Sequence, residues 1–164
     1  MTPNTARCRV CEGEMRLQDL DRIEGVERGV HLCIRHMPTM VCAQGHRRFV
    51  NPDFASAMLD ALLIGGGSDR PFVPLEAAGR RGLLFKRYTC PACEAALDGS
   101  TSGHVESQRV VEIDGLQPFD VQVDLPTFRC GACNTESVEP RDAVVDDLMK
   151  ASADAFRSCQ LTAR

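Results

Sequence analysis

The clearest periodicity in the chain lies at residues 119–125, where Phe119, Val121, Val123 and Leu125 alternate with Asp120, Gln122 and Asp124. A period of two predicts a half-buried strand. Just upstream, Val110, Val111 and Ile113 form an apolar run, and Gly115 with Gln117 and Pro118 supplies a turn, so the two segments read as a hairpin. The earlier stretch "VHLCIRHM" (30–37) also reads as strand, with a less regular alternation because Leu32, Cys33 and Ile34 are adjacent. The period then changes. "NPDFASAMLDALLI" predicts a helix with Asn51 as N-cap, Pro52 at the first helical position and Asp53 in the first turn. Phe54, Met58, Ala61 and Leu62 form its stripe, and Leu59 and Leu63 widen it until the helix wants cover on two sides. A second helix is expected from about Pro140 to about Arg157, with Val145, Leu148, Met149, Ser152 and Phe156 near one face. Asp142, Asp146 and Asp147 crowd its start, where the helix dipole favours anions.

The same order of features occurs twice. "MPTMVC" (37–42) and "LPTFRC" (125–130) share a Pro-Thr-x-x-Cys core. Upstream, Ile23-Glu24-Gly25-Val26 faces Ile113-Asp114-Gly115-Leu116, and Cys8-x2-Cys11-Glu12 faces Cys90-x2-Cys93-Glu94. Downstream, Cys42 and His46 face Cys130 and Cys133, and Val50-Asn51-Pro52 faces Val138-Glu139-Pro140. This is the signature of an internal duplication. It predicts a small α+β fold of two tandem zinc-ribbon-like β-hairpin units, each closed by a C-terminal helix. The units span 6–64 and 82–159, and Gly65-Gly66-Gly67 opens a linker over 65–81 that is part flexible, part extended, with Phe72 and Val73 free to dock on a unit. Pro38 and Pro126 are expected to end the last strand of each unit.

Composition sharpens this. The 164 residues are 43% hydrophobic but only 5% aromatic, with no Trp and one Tyr, which leaves two small units short of the side chains that dominate core burial. An extra staple is needed. The net charge of −4 argues against broad nucleic-acid binding, and the only local basic candidates are Arg47-Arg48 and Arg80-Arg81 with Lys86-Arg87. The N-terminal "MTPNTARCRV" has no apolar segment of a secretory signal, and no run approaches about 18 apolar residues, so a cytoplasmic protein without a membrane span is expected. In that compartment nine cysteines read as metal ligands or redox groups before disulfides.

Cys90-x2-Cys93 with Cys130-x2-Cys133 is the strongest pattern in the chain. Two thiolates on one tight turn grip an ion, and a second pair returned by a hairpin completes a tetrahedron suited to Zn²⁺. The first unit offers Cys8, Cys11, Cys42 and His46, an ordinary structural set with imidazole as fourth ligand. His31, Cys33 and His36 lie close enough in sequence to compete with His46, and Cys159 has no evident partner. Both sets carry four protein ligands and keep no open position, so the zinc is expected to be structural and the protein not an enzyme. Thioredoxin-like chemistry would need one Cys-x2-Cys in a βαβ setting. His104-Val105-Glu106 before Cys130-x2-Cys133 imitates a zinc-deaminase signature, but Arg129 stands where Pro is required and Cys90 and Cys93 would be idle.

At these residues the chain resembles the YgiT-type zinc finger, the N-terminal zinc domain of MqsA-type antitoxins. The stretch "CPACEAAL…VVEIDGLQPFDVQVDLPTFRCGACNTESVEP" and its closing helix carry the likeness over about 88–157, and the internal repeat extends it to 6–64 with His46 replacing a cysteine. The resemblance implies a structural zinc on the four cysteines and a protein partner, typically a ribonuclease toxin. A DNA-binding helix-turn-helix segment follows in that family and is not found after the second unit here. The function expected is a zinc-binding protein-interaction module, antitoxin-like or regulatory. The alternative is a nucleic-acid-binding zinc-ribbon regulator. A homodimer, or packing of the two units on each other, would equally cover the broad helix at 52–64.

Overall fold

In the computed structural model, which describes residues 6–65, 72–82 and 87–162, strands β1 (Met15–Glu27) and β2 (Val30–Cys42) form a long antiparallel hairpin. Its turn is Arg28-Gly29, with φ of 46° and 85°. Two consecutive residues with positive φ make the turn type whose twist matches the flanking strands. The irregular alternation of β2 has a local cause. His36 takes a φ of 57°, and the inward face changes parity there: Val30, Leu32 and Ile34 point into the core before it, Met37 and Thr39 after it. The pairing with β1 stays in step on both sides of it, Arg22 with Arg35 and Leu20 with Met37, so the inward face changes without a shift of register.

Three short strands follow in sequence order around the first helix and the segment after it: β3 (Arg47–Arg48), then β4 (Gly79–Arg81) and β5 (Arg87–Thr89). The second long hairpin is β6 (Gly103–Val111) with β7 (Phe119–Arg129), and it is followed by β8 (Glu136–Ser137) and β9 (Leu161–Thr162). The main sheet has seven strands in the order β6-β7-β2-β3-β9, with β1 on β2 and β8 on β7; β4 and β5 form a separate pair. Its centre is the antiparallel ladder between β2 and β7, from His31–Asp124 to Arg35–Asp120. The hairpins of the two halves therefore share one sheet.

Pro38 and Pro126 do not end their strands, as the sequence suggests. Each lies inside one, opposite Asp19 and His104 respectively. Both fall in gaps of the ladder. β2 pairs with β7 only over 31–35 and with β3 only at 40–41, while β7 pairs with β2 over 120–124 and with β8 at 128–129. A residue without an N–H costs nothing where one side of the strand has no partner.

Helix α1 runs over Phe54–Asp60 and continues as a π-helical turn, Ala61–Gly65. It starts later than its sequence suggests: Asp53, not Asn51, is the N-cap, and no side chain caps it. The Arg109 guanidinium of β6 donates to the Leu62 and Ala61 carbonyls at 3.2 and 3.5 Å, collecting acceptors that the end of a helix leaves open. Helix α2 spans Arg141–Ser158, and its buried residues are Val144, Asp147, Leu148, Ala151, Ser152, Ala155 and Phe156. The buried stripe is rotated from the expected one, leaving Met149 exposed.

The helices are exchanged between the halves. α2, from the second half, packs on β1 and β2 of the first. The approach is close enough that a Cβ on Gly25 of β1 would stand 1.9 Å from the Ala151 carbonyl oxygen and 2.5 Å from the Ala155 nitrogen. The α1 segment reaches the second hairpin through Arg109 and through Phe54, which stacks on Phe119 of β7 at 5.6 Å. Phe49, between Phe54 and Phe156, closes an aromatic cluster contributed by both halves. One core thus forms beneath the shared sheet, and the aromatics that composition shows to be scarce are concentrated in it.

Of the expected linker, residues 66–71 lie outside the described residues. The remainder is docked: Phe72 is buried in the main core, and the backbone of Glu76 and Ala78 pairs with Val138 at 3.1 and 2.8 Å. No helix among the described residues is long and apolar enough to cross a membrane.

Candidate metal centres

Three Cys-x2-Cys turns have the same build. In each, the N–H of the residue after the second cysteine donates to the carbonyl of the first: Glu12 to Cys8, Glu94 to Cys90 and Asn134 to Cys130, all at 2.9 Å. The N–H of the first cysteine in turn donates to the carbonyl two positions after the second: Cys8 to Gly13 and Cys90 to Ala95 at 2.8 Å, Cys130 to Thr135 at 2.9 Å. The flanking residues pair as a miniature ribbon, Arg7 with Glu14, Thr89 with Ala96 and Arg129 with Glu136. The turn requires positive φ at its closing residue, and Glu12, Glu94 and Asn134 take 58°, 59° and 61°. Asn tolerates this conformation; a glutamate there costs about 1–2 kcal/mol. The strain persists at both glutamates because the surrounding turn fixes it.

The fourth turn accommodates one extra residue. Gly45, at φ 82°, donates its N–H to the Cys42 carbonyl at 2.9 Å, and the Cys42 N–H donates to the His46 carbonyl at 3.1 Å. Val41 pairs with Arg47 across it, so His46 returns beside Cys42 despite the longer spacing.

The hairpins bring the turns together in pairs. Cys8, Cys11, Cys42 and His46 form one cluster and Cys90, Cys93, Cys130 and Cys133 the other, with all donor atoms of each within 4.8 Å of one another. Within the first, Sγ of Cys11 and Cys42 are 3.6 Å apart, and His46 Nδ1 lies 3.4 Å from Cys42 Sγ and 3.6 Å from Cys8 Sγ. Within the second, Cys90–Cys133 and Cys93–Cys130 are both 3.6 Å. A tetrahedron with metal–sulfur bonds of about 2.3 Å and metal–nitrogen bonds of about 2.05 Å has S···S edges of about 3.8 Å and S···N edges of about 3.5 Å. Disulfides, at about 2.05 Å, are not formed. Each cluster can therefore hold one metal ion among four protein donors.

β2 and β7 run in opposite directions, so the clusters at their C-terminal ends lie at opposite ends of the sheet. The ladder from Cys42 through the Cys33–Gln122 pair to Cys130, at about 3.3 Å per residue, separates them by roughly 55 Å. They are two independent centres. Each sits in its own small apolar cluster outside the main core: Met15 beside Cys8 and Cys42 in the first, Ala78, Leu97 and Phe128 around Cys90 and Cys130 in the second.

Electrostatics alone would not assemble these groups. Cys133 is lowered to about 6, first by the hydroxyl of Thr135, whose oxygen is 3.2 Å from the sulfur, and then by the Thr135 N–H. Cys93 is pushed up to about 12: the Ala95 N–H favours its thiolate, but the sulfurs of Cys133 and Cys130 and burial outweigh it. In the first centre the N–H groups of Cys11 and Val10 lower Cys8 to about 6. Cys11 is raised although the Gly13 N–H opposes the shift, because burial and the sulfurs of Cys42 and Cys8 prevail. Neighbouring thiols thus cannot all ionise unless a cation offsets their mutual repulsion.

The other sequence candidates stand apart. His36 is exposed, and neither it, His31 nor Cys33 joins a cluster. His104 pairs with Asp124 at 3.3 Å, away from Cys130 and Cys133. Cys159 is buried, its thiol donating to the Phe156 carbonyl, and burial raises its pKa. Sequence reading missed Thr135 as a support of Cys133; its signal was only its place two residues after the last ligand. Comparison of the chain with family models, curated proteins and solved structures returned no match.

Proposed function

We propose that the chain is a zinc-stabilised protein-interaction module, built from two copies of one zinc unit whose ions are structural. The observation that carries this reading is the closed donor set: each cluster supplies four protein ligands at tetrahedral spacing. Three thiolates with an imidazole, and four thiolates, are donor sets suited to Zn²⁺, and neither leaves a position for a reacting water. No catalytic role is assigned to the chain. The interaction role is supported by the sheet surface. β1 and β6 are its long outer strands, and Leu17, Val26 and Val110 on them are about half exposed. Such edges and apolar side chains suit pairing with another protein. An antitoxin-like or regulatory role belongs to the same reading and follows from the family resemblance alone.

Nucleic-acid binding is the weaker alternative. Three of the basic candidates are paired within the chain: Arg47 donates to the Cys159 carbonyl, Arg80 pairs with Asp142, and Arg81 pairs with Glu94 at the surface. Lys86 lies outside the described residues.

The test is affinity capture from the native host with the wild type and with Leu17→Asp and Val110→Asp variants, each first shown to carry two zinc ions. A partner held by the wild type and lost from the variants supports the reading. A partner held equally by all three, or retention of nucleic acid that falls steeply with salt in place of protein, contradicts it.

A further inference from the structure

We infer that the second centre is a peroxide-responsive thiolate site whose oxidation expels its metal, while the first centre resists the same oxidant. The inference rests on the metal occupancy proposed above and adds a chemical difference between two otherwise similar sites.

The difference is one of exposure and charge. In the second centre Cys93 and Cys133, one from each turn, are exposed, whereas Cys90 and Cys130 are 1% and 0% exposed. In the first centre no cysteine is fully exposed: Cys8 and Cys42 are buried, Cys11 is half-buried, and the second half-buried donor is the His46 imidazole, which peroxide does not convert to a disulfide. Access and thiolate character govern cysteine oxidation. Four thiolates around a dication leave a net charge of −2, and three with a neutral imidazole leave −1. The sulfurs of the second centre are therefore the more electron-rich as well as the more accessible. The residues between the cysteines of its turns are small or compact: Pro91, which is half-buried, and Ala92, Gly131 and Ala132, which are exposed.

The reaction consumes one hydroperoxide per centre. A thiolate sulfur, Cys93 or Cys133, attacks one peroxide oxygen; the O–O bond breaks, hydroxide leaves, and a sulfenic acid forms. The nearest thiolate across the cluster then attacks that sulfur and expels a second hydroxide. For Cys93 this is Cys130 and for Cys133 it is Cys90, each 3.6 Å away. Two thiolates and one H2O2 thus become one disulfide and two hydroxide ions, with two electrons passing from sulfur to oxygen. A metal left with two ligands dissociates. The resulting disulfide joins the two turns of the second centre.

The experiment uses the full-length chain loaded with zinc, its metal content measured beforehand. Hydrogen peroxide is added in stoichiometric steps while a chromogenic chelator reports released zinc, and alkylation with peptide mapping locates the oxidised cysteines. One equivalent of zinc is expected to leave about tenfold faster than the second, with a Cys93–Cys130 or Cys90–Cys133 disulfide and intact Cys8, Cys11 and Cys42. Release of both equivalents at one rate, earlier release from the first centre, or no release with these thiols unmodified would overturn the inference. A chain that carries fewer than two zinc ions before peroxide is added fails the functional reading instead.

Discussion

Replacing Gly25 by alanine tests the exchange of helices between the halves. The added Cβ would meet the Ala151 carbonyl oxygen at 1.9 Å and the Ala155 nitrogen at 2.5 Å, both backbone atoms of α2. No rotamer relieves a clash between backbones. An ordinary carbon–oxygen contact is about 3.4 Å, so the helix must retreat by about 1.5 Å. A radial gap of about 0.5–1 Å already forfeits a quarter to a half of the dispersion energy across it, and α2 holds Leu148, Ala151, Ala155 and Phe156 at that face. Overpacking alone costs about 1–3 kcal/mol, and the lost helix contacts bring the expected destabilisation to about 3–4 kcal/mol. For a domain of this size that lowers Tm by roughly 10 °C. Thermal unfolding followed by circular dichroism measures it, with metal content checked to show that both centres remain filled. Gly131→Ala is the control: nothing lies within 4 Å of a Cβ there, and a change within about 0.5 kcal/mol is expected. If Gly25→Ala were as stable as the control, α2 would not lie on β1 and the shared core would be wrong.

Cys130→Ser is expected to leave one equivalent of metal bound and to open only the small cluster of Ala78, Leu97 and Phe128, because the main core does not depend on it; metal analysis with hydrogen exchange reads this. His46→Cys should keep two equivalents, since Gly45 already returns position 46 to Cys42. Glu94→Gly should stabilise the protein by up to about 1 kcal/mol, by releasing a glutamate from positive φ, and a measured loss would mean the turn is not strained. Glu139 titrates above the ordinary carboxylate range, raised first by burial and then by the Asp147 charge, with Arg28 and the Tyr88 hydroxyl opposing. A raised acid contributes stability that is present below its unfolded pKa and is lost as pH rises through the folded value. Glu139→Gln should therefore gain stability relative to the wild type as pH rises above the ordinary carboxylate range. The gain should be under about 1 kcal/mol, because Arg28 and the Tyr88 hydroxyl favour the carboxylate and offset part of the cost of its burial. Parallel stability curves for the two proteins between pH 4 and 8 would refute this.

The two donor clusters were legible because their determinants are local. Cys-x2-Cys closes a turn within six residues, and the Pro-Thr-x-x-Cys recurrence marks where the second half of each cluster returns. The alternation at 119–125 likewise fixed the inner face of β7. The missed features depend on contacts distant in sequence. Nothing in the local pattern of β2 or β7 announces that their edges pair, or that α2 crosses to β1. Gly25 and Gly115 occupy matching places in the repeat yet do different things: Gly115 turns β6 into β7 at φ 80°, while Gly25 clears a path for α2 inside a strand. The turn that corresponds to Gly115 in the first hairpin is Arg28-Gly29. Pro38 and Pro126 were read as strand ends because a missing donor is tolerated there, and gaps in a ladder tolerate it equally. Phe72, in a stretch opened by three glycines, packs into the core because the aromatic surface it covers comes from elsewhere in the chain.

Native mass spectrometry of the purified chain, kept reduced and never exposed to added metal, tests the central claim most directly. A mass increased by two zinc ions per chain, with both lost on acidification and all nine cysteines then alkylated, is the predicted result. A metal-free mass, a single ion, or a chain lighter by the hydrogens of a disulfide among the ligand cysteines would contradict it.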